Sequence, residues 1–550
     1  MLRERLAEIG QEIVLTDENV QKLNEVEKFY ASIGGVVGYH NKVLALLDNT
    51  HIEKRRFTKA PQLSLTKEAT IAGIKALPQF GEIYPLGGLG SRLDLRDDKG
   101  NALPAASLPF LGRTLLEGLI RDVQAREHLY FELFGERVIT PIAMMGSDER
   151  PHILKLCEES NWFGRGKENF FLFKQPSVPV LTTEGEWLTE DDVLVCQPNG
   201  HGAIWKAALD NGIFDWFEKK GRSRLLVRQI NNPIAGVDDC LLSFMGTGVM
   251  QNKAFGFSSC ERAKGVQEGM LVLVEKEGKQ CISNIEYTEL EKEGIEDQGF
   301  PANTNILYVD LKKLLPIIKK NPLPGLMVNL KGDKTARLES MMQNISDTLM
   351  APIGEELPTF LTFNERRRTI SSAKRKFEEG KGVASTPQGA YLDWMANARE
   401  LLKKCGFELP EYFAFNYTPS LGPLYSIIEQ KLLGGKIEEG SELVLDHPDI
   451  YIENLYLKGS LQVRGKCRLE NVRVKNRGIK GGSFWDHALE RDETVEIIGN
   501  FWAQDVELTR SYHVPEGEAW KLTPTGLKKA ADWRFSYLLN GRNIDVDLLS

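Results

Sequence analysis

The sequence predicts an α/β fold in which a central sheet is preceded by a helical N-terminal region and followed by a β-helix. Three observations carry that expectation. From about residue 79 to 360, apolar runs such as 138–145, 224–230 and 269–275 alternate with helical patterns. Such runs read as strands of a largely parallel sheet buried on both faces. Ahead of them, apolar residues recur at helical spacing. Beyond about Gly440, period-2 triplets separated by Asn, Gly or Asp recur every five to seven residues. That rhythm fits stacked coils, each burying its face only against its neighbours.

Composition bounds the function. At 550 residues the chain exceeds what one hydrophobic core serves, so several domains are expected. A hydrophobic fraction of 42% with 27% charged residues excludes wholesale disorder. The net charge of −8 argues against nucleic acid as a partner. No apolar run approaches the roughly 20 residues that span a bilayer, so no membrane partner is expected. Seven scattered cysteines without CxxC spacing read as reduced thiols in a cytosol-like compartment, and the charged first residues lack a secretory core. The location expected on these grounds is cytoplasmic.

Taken in order, residues 1–75 form the helical region, with Leu2, Leu6, Ile9 and Ile13 on one face and Thr16 as a cap before Val20 and Leu23. This region reads as packing. Residues 76–375 form the catalytic domain, opening on Glu82-Ile83-Tyr84-Pro85-Leu86-Gly87-Gly88-Leu89-Gly90-Ser91-Arg92-Leu93. Here a short apolar strand enters a glycine-rich turn whose backbone N–H groups can approach an anion closely. Arg92 adds a planar, always charged fork for phosphate. Residues 376–439 begin in the charged, glycine-bearing run Lys374–Gly382, a hinge, and continue as a helical connection. Residues 440–550 are the β-helix, whose unpaired ends offer a route to self-association.

The turn lacks both the third glycine of a dinucleotide fingerprint and the Lys-Ser/Thr of a Walker loop. Its companions say more. Gly87-Gly88-Leu89-Gly90-Ser91-Arg92-Leu93 resembles the signature loop of nucleotide-sugar pyrophosphorylases. In matching order come Phe173-Lys174-Gln175-Pro176, Gln197-Pro198-Asn199-Gly200-His201-Gly202, Val237-Asp238-Asp239, Ile285-Glu286-Tyr287, Asn303-Thr304-Asn305 and Arg337-Leu338-Glu339. Further stretches, among them Leu103-Pro104-Ala105-Ala106, Trp162-Phe163-Gly164-Arg165-Gly166 and Asn364-Glu365-Arg366-Arg367-Arg368, are similar to divergent plastid-type UDP-glucose pyrophosphorylases. The likeness runs from about Pro85 to about Gly478.

The resemblance implies a nucleotidyltransferase of GT-A type with a mixed central sheet. It implies UTP and glucose 1-phosphate as substrates, reversible formation of UDP-glucose and pyrophosphate, and Mg2+ as cofactor. It assigns substrate contacts to Leu86, Gly87, Gly88, Gly90, Ser91, Gln175, Pro198, Gly200, His201, Gly202, Glu286, Asn303, Asn305 and Glu339. Asp238 would hold the metal, and Arg92 and Lys374 would be catalytic. One departure stands out: the family's Pro-Lys lysine has no counterpart in Leu103-Pro104-Ala105-Ala106-Ser107. Arg92, Lys99 or Arg113 would then supply the charge.

The chemistry requires little else. A sugar 1-phosphate is already largely ionised at neutral pH, its second pKa being about 6. No general base is needed, and the task is to hold two polyanions in line. Two alternatives remain open: a UDP-N-acetylhexosamine or broad UDP-sugar pyrophosphorylase, and a catalytically weakened nucleotide-sugar binding protein. A dehydrogenase reading fails because Asp94, Asp97 and Asp98 come too soon after the glycines.

Overall fold

The computed structural model describes residues 2–48, 55–87, 92–147, 150–263, 268–286, 299–331, 334–539 and 542–543. Gly88, Gly90 and Ser91 of the glycine turn, together with Tyr287, lie outside the described residues.

The N-terminal region contributes helices α1 (Leu2–Glu8), α2 (Asp17–Phe29), α3 (Gly35–Leu47) and α4 (Lys67–Lys75). Thr16 caps α2 as expected, its hydroxyl accepting from Asn19 N at 3.2 Å. Between α3 and α4, Arg56–Thr58 adds a short antiparallel strand to the central sheet, which helical periodicity could not announce.

The central sheet has a parallel block and an antiparallel block. The parallel strands are β1 (Phe80–Pro85), β2 (Ile142–Gly146), β3 (Phe170–Lys174) and, on the other side of β1, β4 (Arg224–Val227). The antiparallel block comprises β5 (Phe255–Cys260), β6 (Met270–Lys276), β7 (Lys279–Ile285) and β8 (Ala302–Asp310), and β8 pairs with β4. A further strand, Thr359–Asn364, runs parallel to β5. The sheet is therefore mixed, as the family resemblance implied. Buried apolar runs alone had suggested a more uniformly parallel one, because they report burial on two faces and not strand direction.

Alternation along β1 decides what each face meets. Ile83 joins a core with Leu23, Tyr30 and Tyr39 of the N-terminal region. Tyr84, its neighbour, joins a core that continues through Leu116 and Trp394 to Leu443, Val463 and Ile497 of the β-helix. One apolar core thus runs from the central sheet into the C-terminal coils. Helix α5 (Leu115–Phe134) lies on this second face, capped by Thr114.

The C-terminal coils are stacked in parallel, for example Leu443 beside Leu461, Val463 beside Ile497 and Leu469 beside Ala503. Parallel stacking already begins at Phe407–Glu408 and Ala414–Tyr417. The rhythm weakens after Gly478 because an antiparallel hairpin, Ile479–Ser483 with Ala488–Arg491, leaves the stack. Its tip reaches the loop ahead of α5, where Leu111 N donates to Trp485 O at 2.8 Å. Gly526–Lys529 folds back over Ala519–Thr523, covering the last edge of one sheet.

Candidate functional site

A cavity of about 520 Å³ opens beyond the carboxyl ends of β1, β3 and β4, where ligands bind in open α/β sheets. Its size suits a nucleotide-sized ligand. Gly87 follows β1, Gln175 follows β3, and Gln229, Ile230 and Asn231 follow β4. Pro198, Gly200 and His201 form another part of the wall, with Arg337, Glu339, Ala373 and Lys374 completing it beside Arg92.

Gly87 and Gln175 interlock. A Cβ on Gly87 would lie 1.8 Å from Gln175 Oε1, so any larger residue there would push the Gln175 side chain aside. Gln175 Nε2 donates to Gly200 O at 2.9 Å, and its Oε1 accepts from Ser147 Oγ at 3.3 Å. The side-chain amide is thereby fixed in orientation. Gly200 has φ +84°, and a Cβ there would meet Ser340 O at 2.6 Å.

His201 is a neutral donor. Its Nδ1 accepts from Met342 N at 3.1 Å, which leaves the ring proton on Nε2. Burial, with the nearby Lys374 cation, pushes its pKa down to about 4. Lys374 sits among charges: desolvation and the Arg92 guanidinium hold its ammonium below the usual value, against Glu268 and Glu286. The residue is exposed to water, which screens those charges. The two cation-bearing segments are tied together, Lys376 N donating to Arg92 O at 2.8 Å. Asn232 clasps the same segment: its Nδ2 donates to Thr369 O at 2.7 Å and its Oδ1 accepts from Ser371 N at 3.0 Å.

Of the residues assigned from sequence, Gly87, Arg92, Gln175, Pro198, Gly200, His201, Glu339 and Lys374 line the cavity. Leu86 is buried behind it, its N–H bonded to Met145 O. Gly202 is buried against the Ser340–Met341 backbone. Asn303 and Asn305 stand one layer back on β8, where Asn303 Nδ2 donates to Asn284 Oδ1 and Asn305 Nδ2 to Gln229 Oε1. Glu286 is outside the lining but close enough to act on Lys374. The run Arg366–Arg368 is spent on ion pairs with Glu268, Glu365, Glu400 and Asp239.

The metal expectation at Asp238 is not met at the cavity wall. Asp238 is not among the cavity-lining residues. The 3-10 turn Pro233–Val237 carries it off the end of β4 into a buried layer, where its Oδ1 accepts from Cys240 N at 2.9 Å. Burial and the adjacent Asp239 push its pKa up to about 8. Glu339 is the one carboxylate among the described lining residues, and Arg337 donates to it and to Gln197. Mg2+ prefers carboxylate and phosphate oxygens. Among the described residues, Asp238, Asp239 and Cys240 bring their ligand atoms within 4.8 Å of one another, a group able to hold a cation, but none of the three is among the cavity-lining residues.

Sequence reasoning passed over Gln229, Asn231 and Arg337. The signal was available for the first two, because they lie two and four residues beyond the apolar run Leu225-Leu226-Val227, past a strand's carboxyl end. Ala105 lines the cavity as well, which places the segment lacking the family lysine at the site. Of the three substitutes considered for that lysine, only Arg92 reaches the wall. Arg113 instead pairs with Asp446 at 3.5 Å, and Lys99 is an exposed loop residue.

Comparison with known proteins agrees with this construction. A family described as UTP–glucose-1-phosphate uridylyltransferase matches residues 122–360, and one described as UGP3-like, C-terminal hexapeptide repeats matches residues 462–536. UTP–glucose-1-phosphate uridylyltransferase 3, chloroplastic, of Arabidopsis thaliana is 38% identical over 95% of this chain and 74% of its own length. A UDP-sugar pyrophosphorylase of Oryza sativa subsp. japonica is 24% identical over 74% of this chain and 73% of its own. Among solved structures, a putative UDP-N-acetylglucosamine pyrophosphorylase from Entamoeba histolytica superposes with a TM-score of 0.58 at 19% identity, over 72% of this chain and 100% of that one. A UDP-glucose pyrophosphorylase variant from Leishmania major gives 0.51 at 15% identity, over 88% and 99%. These two establish likeness of fold. The chloroplastic relative overturns the cytoplasmic expectation, which rested on thiols. All seven cysteines are indeed free, but thiol state reports redox poise and not address. With the Arabidopsis relative matching nearly the whole chain, this protein belongs to the UTP–glucose-1-phosphate uridylyltransferase family.

Proposed function

We propose that the chain transfers a uridylyl group from UTP to glucose 1-phosphate, giving UDP-glucose and pyrophosphate. The observation that carries this reading is the charge balance of the cavity. Among its described lining residues, Arg92, Arg337 and Lys374 face a single carboxylate, Glu339. The surplus of cations awaits a polyanion.

In this reading a phosphate oxygen of the sugar 1-phosphate attacks the α-phosphorus of UTP, and the bond to the β-phosphate oxygen breaks. Pyrophosphate leaves with that electron pair. The attacking phosphate is already ionised, so no side chain removes a proton from it. Lys374 and Arg92 hold the phosphates in line and stabilise charge as it moves. His201 offers its Nε2–H at neutral and acid pH alike. Gln175, fixed between Gly87 and Gly200, presents an oriented amide to the uracil. Mg2+ enters as the counter-ion of the triphosphate and is assigned no carboxylate of this chain. A plastid is the compartment this reading adopts, following the Arabidopsis relative.

Pyrophosphate release on mixing UTP with glucose 1-phosphate tests the reading. Turnover is expected with this pair and lower turnover with N-acetylglucosamine 1-phosphate. Binding of UTP without pyrophosphate release from any sugar phosphate would overturn the enzyme reading in favour of a nucleotide-sugar binding protein.

A further inference from the structure

Three chain segments supply much of the cavity wall, and each is tied by a hydrogen bond or ion pair to one element outside it. Next to Gln175, Lys174 Nζ pairs with Glu25 of α2 at 2.6 Å. Between Pro198 and Gly200, Asn199 Nδ2 donates to the Tyr30 hydroxyl at 3.2 Å. Between Arg337 and Glu339, Leu338 N donates to the Tyr39 hydroxyl at 3.3 Å. That same hydroxyl donates to Pro179 O at 2.6 Å, and Pro179 lies on the short strand paired with Cys196–Pro198. Tyr39 therefore fastens the ladder that carries Pro198 to the strand that carries Glu339.

The anchoring element is rigid. Tyr30 and Tyr39 are buried, their rings 5.2 Å apart, in a core that includes Val178, Leu181 and Leu338 from the site-bearing strands. Burial raises both phenols far above their usual pKa, so both stay neutral hydroxyls at any physiological pH. Asn19 of α2 adds two bonds to the same neighbourhood, to Asp192 O at 2.7 Å and from Leu194 N at 2.9 Å. Apolar packing alone fixes helices against a sheet without regard to which atoms meet. Directed bonds to residues adjoining Gln175, Pro198, Gly200, Arg337 and Glu339 fix the wall's geometry, on which recognition depends.

We propose that α2, α3 and the Tyr30 between them form a positioning element of the nucleotide site, with Tyr39 as its central residue and Tyr30 and Glu25 as flanking ties. None of the three lines the cavity; they act through Leu338, Asn199 and Lys174. The proposal rests on the uridylyl-transfer reading, and goes beyond it by giving the N-terminal region a part in nucleotide affinity.

The test is UTP binding by calorimetry to the full chain, with steady-state kinetics and thermal melts on the same samples. Tyr39→Phe removes the hydroxyl with both of its hydrogen bonds and keeps the ring, and is expected to weaken UTP binding roughly 3- to 10-fold. KM for UTP is expected to rise in step while kcat changes less than about twofold. Tyr30→Phe and Glu25→Gln are expected to shift affinity the same way and by less. Glu25 is partly exposed, so its variant keeps the test sound if a tyrosine variant is unstable. Glu18→Gln, on α2 and paired with Lys22, is the control and is expected to bind as wild type. Folded variants at Tyr39, Tyr30 and Glu25 that all bind UTP like wild type would overturn the positioning role alone. A wild-type chain that fails to bind UTP would overturn the uridylyl-transfer reading and this proposal with it.

Discussion

Two groups of charged residues flank the same pair of strands and differ in one respect. Beneath the sheet, Glu82 of β1 and Asp122 of α5 meet Arg126 and Arg228 in a fully buried cluster. Arg228 bonds Glu82 at 2.7 Å and Asp122 at 2.6 Å, and Arg126 bonds the same two at 2.5 and 3.1 Å. Two anions balance two cations, and the Tyr84 hydroxyl donates to Glu82 as well. Beyond the strand ends the balance is broken in favour of cations, and the groups open onto solvent. Charge that is matched and dry holds strands in place; charge that is unmatched and wet is available to a ligand. Arg228 and Gln229, neighbours in sequence, fall on opposite sides of that division.

The largest expected effect comes from unbalancing the buried cluster. Glu82→Gln leaves two buried guanidiniums sharing one carboxylate, and is expected to destabilise the fold by about 3–5 kcal/mol. Chemical denaturation measures it. If stability changed by less than about 1 kcal/mol, the cluster would not be what orders β1 and β4.

Removing a cavity cation should do the reverse, sparing the fold and harming turnover. Lys374→Ala is expected to lower kcat roughly 100-fold, as loss of one preorganised charge does, with an unchanged melting temperature. Arg92→Ala is expected to behave similarly, and Arg92→Lys to recover only part, since an ammonium lacks the planar fork. A Lys374 variant with full turnover would move the electrostatic work elsewhere.

Gly87→Ala sharpens the same contrast at a neutral position. Its Cβ would displace the Gln175 side chain, so KM for UTP is expected to rise about tenfold or more with the fold intact. A uracil-independent loss, equal for other nucleoside triphosphates, would contradict the role given to Gln175.

Changes of pH act on groups at the edge of both regions. The folded pKa of His201, about 4, is below its unfolded value near 6.5. Its contribution to stability is therefore complete above pH 6.5 and is lost as pH falls through 4. His201→Asn is expected to flatten that part of the stability profile. Asp238 has the opposite sign: with a folded pKa of about 8, stability falls as pH rises from about 4 towards 8. Asp238→Asn is expected to be more stable than wild type at pH 8, with turnover within about tenfold. Loss of all turnover in that variant would restore the metal role expected from sequence.

Much of the fold could be read from residues. Strand β1, the Thr16 cap and the β-helix triplets each have a local signature: an apolar run, a hydroxyl ahead of a helix, a period of two. Gln175, Gly200, His201 and Glu339 were found because their neighbours match a family pattern. What escaped depended on where the chain goes next. Asp238 was assigned because Val237-Asp238-Asp239 resembles the family's metal segment, but the turn at Pro233–Val237 carries it off the cavity wall and leaves Gln229 and Asn231 there. The helical periodicity of α2 and α3 was plain, yet nothing local shows that Tyr39 would bond a residue 299 positions away. The hairpin at Ile479–Arg491 broke a rhythm whose cause lay in the loop before α5.

The central claim is that a cation-rich cavity at the carboxyl ends of β1, β3 and β4 transfers a uridylyl group. Phosphorus-31 NMR of the full-length chain with MgUTP and glucose 1-phosphate tests it most directly. The account expects UDP-glucose and pyrophosphate resonances to grow at equal rates, and to grow on the order of 100-fold more slowly with Lys374→Ala. Unchanged UTP and sugar phosphate signals over a saturated enzyme, or equal rates in the two proteins, would contradict it.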